Sequence, residues 1–336
     1  KGVVQTPIFV DCLKDIKLPK EKVLIPGKTR IFAVAPVDFT ISQRQYTLDF
    51  VAGFIKARFE VESSVGMDVN SLETNYLVHQ MLEYGNNMVC GDYSKFGDQL
   101  YASLVIAFYD IVAKWYKKWM TDWYDGYSVA LRSFGEEVSH SHHLMINQVY
   151  QCFGGMPSGN SATIIINNAC NSMYIRIMWQ VVMSKISLRY LDLSTFSENV
   201  RSVECGDDIW MSVKSDVIDH FNAVTLSEAF AEFGIKFTNA LKDGCMRPFS
   251  NLKDVDTTFL KCMFVPHPYR ENIYIARLDE RAALEICNWT WSTQKDNRSA
   301  SIEACKAMLE EYYGHGPVKF SLLRRKIIDF WAEKGV

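Results

Sequence analysis

Asp207 and Asp208 stand side by side in Ser202-Val203-Glu204-Cys205-Gly206-Asp207-Asp208-Ile209-Trp210-Met211, and Asp92 lies far upstream in Met88-Val89-Cys90-Gly91-Asp92-Tyr93-Ser94-Lys95-Phe96-Gly97-Asp98. Adjacent carboxylates repel one another and lose hydration when partly buried, so they call for a cation. Carboxylate oxygens are hard donors that suit Mg²⁺ or Mn²⁺. Aspartates carried to strand ends by distant parts of a chain are a way to assemble a two-metal site for phosphoryl chemistry. A Gly-Asp-Asp run alone is an ordinary hairpin turn. Asp92, at the end of a short apolar run, is what adds specificity.

Periodicity identifies the elements that must hold these groups. Val203 and Cys205 before the turn, and Ile209, Met211 and Val213 after it, alternate as a strand–turn–strand over 200–214, with Gly206 free to adopt the positive φ of a tight hairpin. A helical pattern over 100–120 follows Asp92. A glycine-rich loop, Phe153-Gly154-Gly155-Met156-Pro157-Ser158-Gly159-Asn160, leads into a predicted helix over 161–183. Thr163, Asn167 and Asn171 fall at i, i+4 and i+8 on that helix, an uncharged polar stripe beside apolar positions. A solvated face normally carries Lys and Glu, and this helix has no charge before Arg176, so the stripe suits a ligand-facing role.

Further helices are expected at 46–60, 70–84, 216–233, 279–291, 300–313 and 319–333, and a second hairpin from Thr257–Val265 and Asn272–Arg277. Residues 1–45 read as short strands and loops, and 121–157 as an aromatic, Gly/His-rich stretch without a clear period. A small antiparallel sheet backed by helices is an α+β core.

Asp92-Tyr93-Ser94-Lys95-Phe96, then Gly155-Met156-Pro157-Ser158-Gly159 with Thr163 and Asn167, then Gly206-Asp207-Asp208, resemble in order and interval motifs A, B and C of viral RNA-dependent RNA polymerases. Gly27-Lys28-Thr29-Arg30 resembles motif F, Gly234 to Lys242 motif D, and Phe259-Leu260-Lys261 motif E. The resemblance covers about residues 14–265 and is strongest to picorna-like viruses of the insect dicistrovirus and iflavirus type.

The resemblance implies a right-hand architecture: partial fingers at 1–45, palm at 46–130, a fingers insertion at 131–157, palm again at 158–267, and a helical thumb at 268–336. The family has a longer N-terminal region than is present here, so a fragment is expected. The implied activity is template-directed RNA synthesis by two-metal-ion nucleotidyl transfer. Asp92 and Asp207, with the Tyr93 main-chain carbonyl and secondarily Asp208, would hold two Mg²⁺ ions, for which Mn²⁺ can substitute. Lys28 and Arg30 would meet the triphosphate, Lys242 would protonate pyrophosphate, and Lys261 would lie by the primer. Ser158, Gly159, Thr163 and Asn167 would form the nucleotide and ribose pocket.

Three departures from the family pattern stand out. The ribose-sensing aspartate is expected five residues after Asp92, where Gly97 stands; Asp98 comes one later. A local bulge can bring Asp98 into place, or Asn167 and Ser158 read the ribose without it. Cys205 replaces the tyrosine that commonly precedes Gly-Asp-Asp, and Cys262 replaces an arginine after motif E. Two alternatives remain open: a catalytically incomplete fragment acting as an RNA-binding module, and a reverse transcriptase, against which the polar motif B argues.

With 336 residues the chain exceeds one simple core. A hydrophobic content of 48% and 22% charged residues are ordinary for a folded enzyme, and no transmembrane span or signal peptide is read. Nine cysteines without a C-x-x-C pair read as free thiols. Net charge is −3, but residues 1–30 hold seven Lys/Arg against three acids, and residues 319–336 five against two. Basic walls around an acidic centre suit an RNA template and primer. His140, His142 and His143 read as a loop with adventitious metal affinity. The implied partners are RNA, NTPs, viral replication proteins and a protein primer, in membrane-associated replication complexes of the host cytoplasm.

Overall fold

The strands that carry Asp92 and the Asp207–Asp208 turn are immediate neighbours in one antiparallel sheet. The computed structural model describes residues 6–16, 18, 20–242, 244–289 and 296–335. Its strands are β1 (Ile8–Leu13), β2 (Ile31–Val34), β3 (Met88–Tyr93), β4 (His142–Met145), β5 (Gln148–Gln151), β6 (Val200–Cys205), β7 (Asp208–Val213), β8 (Phe237–Asn239), β9 (Cys262–Pro266) and β10 (Tyr274–Leu278). The central sheet has the order β6-β7-β3-β8.

The two central strands of this sheet, β3 and β7, are buried on both faces, which explains their largely apolar sequence. Val89 and Tyr93 of β3, with Ile209, Met211 and Val213 of β7, join a core shared with the helix Thr163–Met183 and the helix Ala223–Glu232. Met88 and Cys90, with Val203 and Trp210, join a second core with the helix Leu72–Leu82 and with Phe259 and Phe264. Gly91 faces Phe237, whose ring occupies the space a Cβ would need. Glycine is therefore required beside Asp92 for β8 to close on β3.

A second sheet, β2-β1-β4-β5, pairs β1 antiparallel to β2 and parallel to β4. It is tied to the glycine-rich loop by a parallel bridge between Val34 and Gly159, where a Cβ would collide with the Ala33 carbonyl. The β9–β10 hairpin forms the third sheet and leads to the helices Asn297–Tyr312 and Pro317–Glu333.

Several expectations need correction. The helix expected at 46–60 is Val37–Lys56, started nearer the N-terminus by Pro36, whose fixed φ of −56° suits the preceding position. The expected helix 216–233 is Ala223–Glu232, because Asn222 caps it with a reciprocal bond to Thr225. Residues 121–157, read as aperiodic, hold the helix Gly126–Ser139 and the β4–β5 hairpin. The expected helix 279–291 is a short helix Glu280–Glu285 and a 3₁₀ turn Ile286–Asn288; its last two positions lie outside the described residues, as do Lys1 and Lys17 of the basic N-terminal cluster.

Candidate functional site

Cys205 pairs with Asp208 across the β6–β7 hairpin, leaving Gly206 and Asp207 as a two-residue loop. Gly206 has φ +66° and Asp207 is not among the positive-φ residues, the sign pattern of a type II′ turn. The hairpin is packed close: a Cβ on Gly206 would lie 2.9 Å from Ile164 Cδ1. Asp207 thus stands at the tip and Asp208 opens β7.

Asp92 lies at the exit of β3, opposite Thr238 of β8, whose hydroxyl donates to the Asp92 carbonyl at 3.3 Å. Its carboxylate forms an ion pair with Lys242, which follows β8 in the left-handed region at φ +55°. Burial raises the Asp207 carboxyl above its ordinary value, and Asp92 raises it further, against Lys242 and Arg30. Burial, Asp207 and Asp92 push Asp208 up to about 6, against Lys242 and Lys261. These carboxylates therefore feel one another and lack enough positive charge. No preassembled cluster of three carboxylate, imidazole or thiol ligands is present among the described residues. Asp92 turned toward Lys242 is consistent with that. The donors nonetheless suit hard divalent ions, and the raised carboxyl pKa values mark a site that added cations would relieve.

A cavity of about 630 Å³ opens over these groups. Lys28, Arg30, Asp92, Tyr93, Asp98, Ser158, Asp207 and Lys242 all line it. Lys95 is left-handed (φ +56°), the 3₁₀ turn Gly97–Gln99 follows, and Gly97 and Asp98 both lie on the wall. Asp208, Gly159, Thr163, Asn167 and Lys261 do not line it. Gly159 makes the close backbone bridge to β2, and the Thr163 hydroxyl donates to the Asn160 carbonyl at 2.7 Å. Asn167 keeps a buried Oδ1 without a hydrogen-bond partner in the structure. Lys261 sits in the left-handed turn before β9, φ +61°. Cys205 is half-buried against the second core and Cys262 is buried, and neither side chain lines the cavity.

One wall was not anticipated. His143 places Nδ1 2.9 Å from the Asp11 carboxylate and Nε2 2.8 Å from the Ser141 hydroxyl, while Tyr150 donates to the other Asp11 oxygen at 2.5 Å. All four residues line the cavity. His142 and His143 are thus on β4 rather than in a loop, and His140 caps the helix Gly126–Ser139. The triple-histidine run was visible, but its partner Asp11 lies on β1, beyond any local pattern.

Glu204 was also missed. It is fully buried and neither carboxyl oxygen has a hydrogen-bond partner in the structure. Burial, then the Glu62 charge, raises its carboxyl well above the ordinary 4.5, against the charges of Arg176 and Arg201. The unfolded chain ionises Glu204 first as pH rises, while the folded chain keeps the proton. This group therefore costs stability increasingly above pH 4.5. Glu204→Gln is expected to lose less stability than the wild type between pH 5 and 8, read as the difference of melting temperatures at each pH. A constant difference would refute the assignment.

A family model described as viral RNA-dependent RNA polymerase matches residues 1–320. The chain is 38% identical over 328 residues to the genome polyprotein of Deformed wing virus, covering 97% of this chain and 11% of that polyprotein. It is 32% identical over 345 residues to the replicase polyprotein of Cricket paralysis virus, covering 100% of this chain and 19% of that polyprotein. It thus spans about a tenth to a fifth of the length of these curated relatives. The solved Sicinivirus 3Dpol RNA dependent RNA polymerase has the same fold, with a TM-score of 0.76 at 19% identity over 98% of this chain and 64% of that one.

Proposed function

The chain belongs to the viral RNA-dependent RNA polymerase family, and from that premise we propose that it carries the catalytic centre for template-directed RNA synthesis in a positive-strand virus. One observation carries this reading: Asp92 and Asp207 meet Lys28, Arg30 and Lys242 on a single cavity. Acidic groups at the floor and cations on the wall are what joining a hydroxyl to a triphosphate requires.

In this reading the primer 3′-hydroxyl attacks the α-phosphorus of the incoming NTP and pyrophosphate leaves. The family generally uses divalent metal ions; two Mg²⁺ ions, or Mn²⁺ in their place, would lower the hydroxyl's pKa and neutralise charge on the reacting oxygens. Asp92, Asp207 and the Tyr93 carbonyl would hold them, with Asp208 in support. Arg30 grips the triphosphate through its planar fork, and Lys28 adds a point charge. Lys242, the ion-pair partner of Asp92, would donate a proton to the departing pyrophosphate. Asp98 and Ser158, both on the wall, test the 2′-hydroxyl, and Asn167 and Thr163 would assist from the helix that follows Ser158. Lys261 lies toward the primer side. The occupants are RNA template, primer and NTPs, with viral replication proteins and a protein primer as partners. Host-cytoplasmic replication complexes on membranes are the proposed setting. No described helix is long and apolar enough to cross a membrane.

Arg30→Ala is expected to raise the KM for NTP by about 10- to 100-fold, the weight of a lost charge-assisted contact, with RNA affinity nearly unchanged. Single-nucleotide incorporation at varied NTP checks this; an unchanged KM would remove Arg30 from the triphosphate site. Asp98→Ala is expected to narrow the preference for ribonucleotides over deoxynucleotides without abolishing turnover, measured by the same assay with each substrate.

A further inference from the structure

Resting on the polymerase reading of this same site, we infer that Asn171 is a positioning residue that ties the Asp92 and Asp207 segments together and fixes the spacing at which they share divalent cations. Asn171 lies on the helix Thr163–Met183 and is fully buried. Its Nδ2 donates to the Gly206 carbonyl at 3.0 Å and to the Asp207 carbonyl at 3.3 Å. Its Oδ1 accepts from the Tyr93 hydroxyl at 2.8 Å. Carbonyl oxygens only accept, so the amide nitrogen must face the turn, and the phenol must then donate to the amide oxygen. The orientation of the amide is fixed by chemistry.

The link runs between the two places the site needs held apart at a set distance. Tyr93 is bonded to Asp92 and is locked by the rings of Phe96, Phe237 and Phe230, at centroid distances of 4.9, 5.1 and 5.3 Å. On the other side, the loop carbonyls of Gly206 and Asp207 lie outside the β6–β7 ladder, whose last pair is Cys205 with Asp208. Asp92 and Asp207 repel each other, and the carbonyls of the hairpin tip are held from the helix side by this amide. One buried amide, bonded to both sides, supplies the restraint. Nothing in this role touches substrate or metal. Removing it should loosen the ligand spacing rather than delete a ligand, and partners behind metal ligands typically contribute about 10- to 100-fold in metal affinity.

The test compares the wild type, Asn171→Leu, Tyr93→Phe and the double variant. Mn²⁺ binding is followed by electron paramagnetic resonance of free Mn²⁺, and RNA-primed extension is followed against Mg²⁺ concentration. Asn171→Leu is expected to weaken Mn²⁺ binding about tenfold and to raise half-saturating Mg²⁺ by the same factor, with RNA affinity and KM for NTP at saturating Mg²⁺ unchanged. Tyr93→Phe should show a smaller shift in the same direction, and the double variant should be no worse than Asn171→Leu, since both act through one link. If Asn171→Leu fails to fold, Tyr93→Phe decides alone. Folded variants that bind Mn²⁺ like the wild type overturn the inference, even if the wild type extends primers. Shifted Mn²⁺ binding with no extension by the wild type sustains the link and refutes the polymerase reading instead. A wild type that binds no Mn²⁺ overturns the inference.

Discussion

Asp207→Ala, and separately Asp92→Ala, should cut nucleotide incorporation by about 10³-fold or more, equivalent to at least about 4 kcal/mol of transition-state stabilisation, while RNA binding persists. The loss follows from position: Asp207 is the tip of a closed hairpin and Asp92 the end of the adjacent strand. The same substitutions should not lower the metal-free melting temperature. Asp92 and Asp207 each raise the carboxyls around them, so deleting one relieves repulsion in the absence of cations. Activity and stability therefore move in different directions, which a folding defect would not produce. Incorporation rates and melting curves without metal, taken on the same preparations, check both halves. A variant retaining a tenth of wild-type turnover would show that the carboxylate is not a catalytic ligand.

Trp210→Ala should destabilise the fold by about 3–5 kcal/mol, a large share of the stability of an ordinary domain. Trp210 is fully buried on β7, two residues after Asp208. Its ring stacks on Phe264 of β9 at 4.6 Å between centroids and 9° between planes, and its indole N–H donates to Met88 sulfur at 3.3 Å. It is therefore the joint between the strand that bears Asp208 and the hairpin that follows Lys261. Alanine leaves a cavity between two sheets that cannot collapse without moving one of them. Urea unfolding of the two proteins measures the effect. A loss below about 1 kcal/mol would mean that β9 is not held through this stack.

The Gly206-Asp207 turn was legible because its signal is local. Alternating apolar residues around Gly206-Asp207 define the strands and their register together, and the turn then exposes Asp207 without further information. The helix Thr163–Met183 was legible for the same reason, but of the stripe expected to face a ligand only Asn171 is buried, and none of Thr163, Asn167 and Asn171 lines the cavity. What escaped depends on pairings distant in sequence. The parallel pairing of β1 with β4 brings Asp11 to His143, and neither segment alone hints at the other. The helix Gly126–Ser139 was obscured by glycine at both its start and its interior; Gly135 is there because Tyr109 packs 3.0 Å from where its Cβ would be. β8 is three residues long, too short to show a period, and is specified by Phe237 filling the space left by Gly91. Glu204 lies between Val203 and Cys205, so alternation puts it on the other face of the strand from them; it is buried because the sheet is covered on that face too, which the strand's own pattern does not reveal.

Extension of a short self-primed RNA hairpin by the purified chain, with Mg²⁺ and each ribonucleotide or deoxynucleotide in turn, tests the central claim most directly. The expected result is addition of the templated ribonucleotide, abolished by chelating the metal and strongly disfavoured with the matching deoxynucleotide. RNA bound without any addition would contradict the claim that these 336 residues hold a working centre, and equal use of deoxynucleotides would contradict its assignment to RNA synthesis.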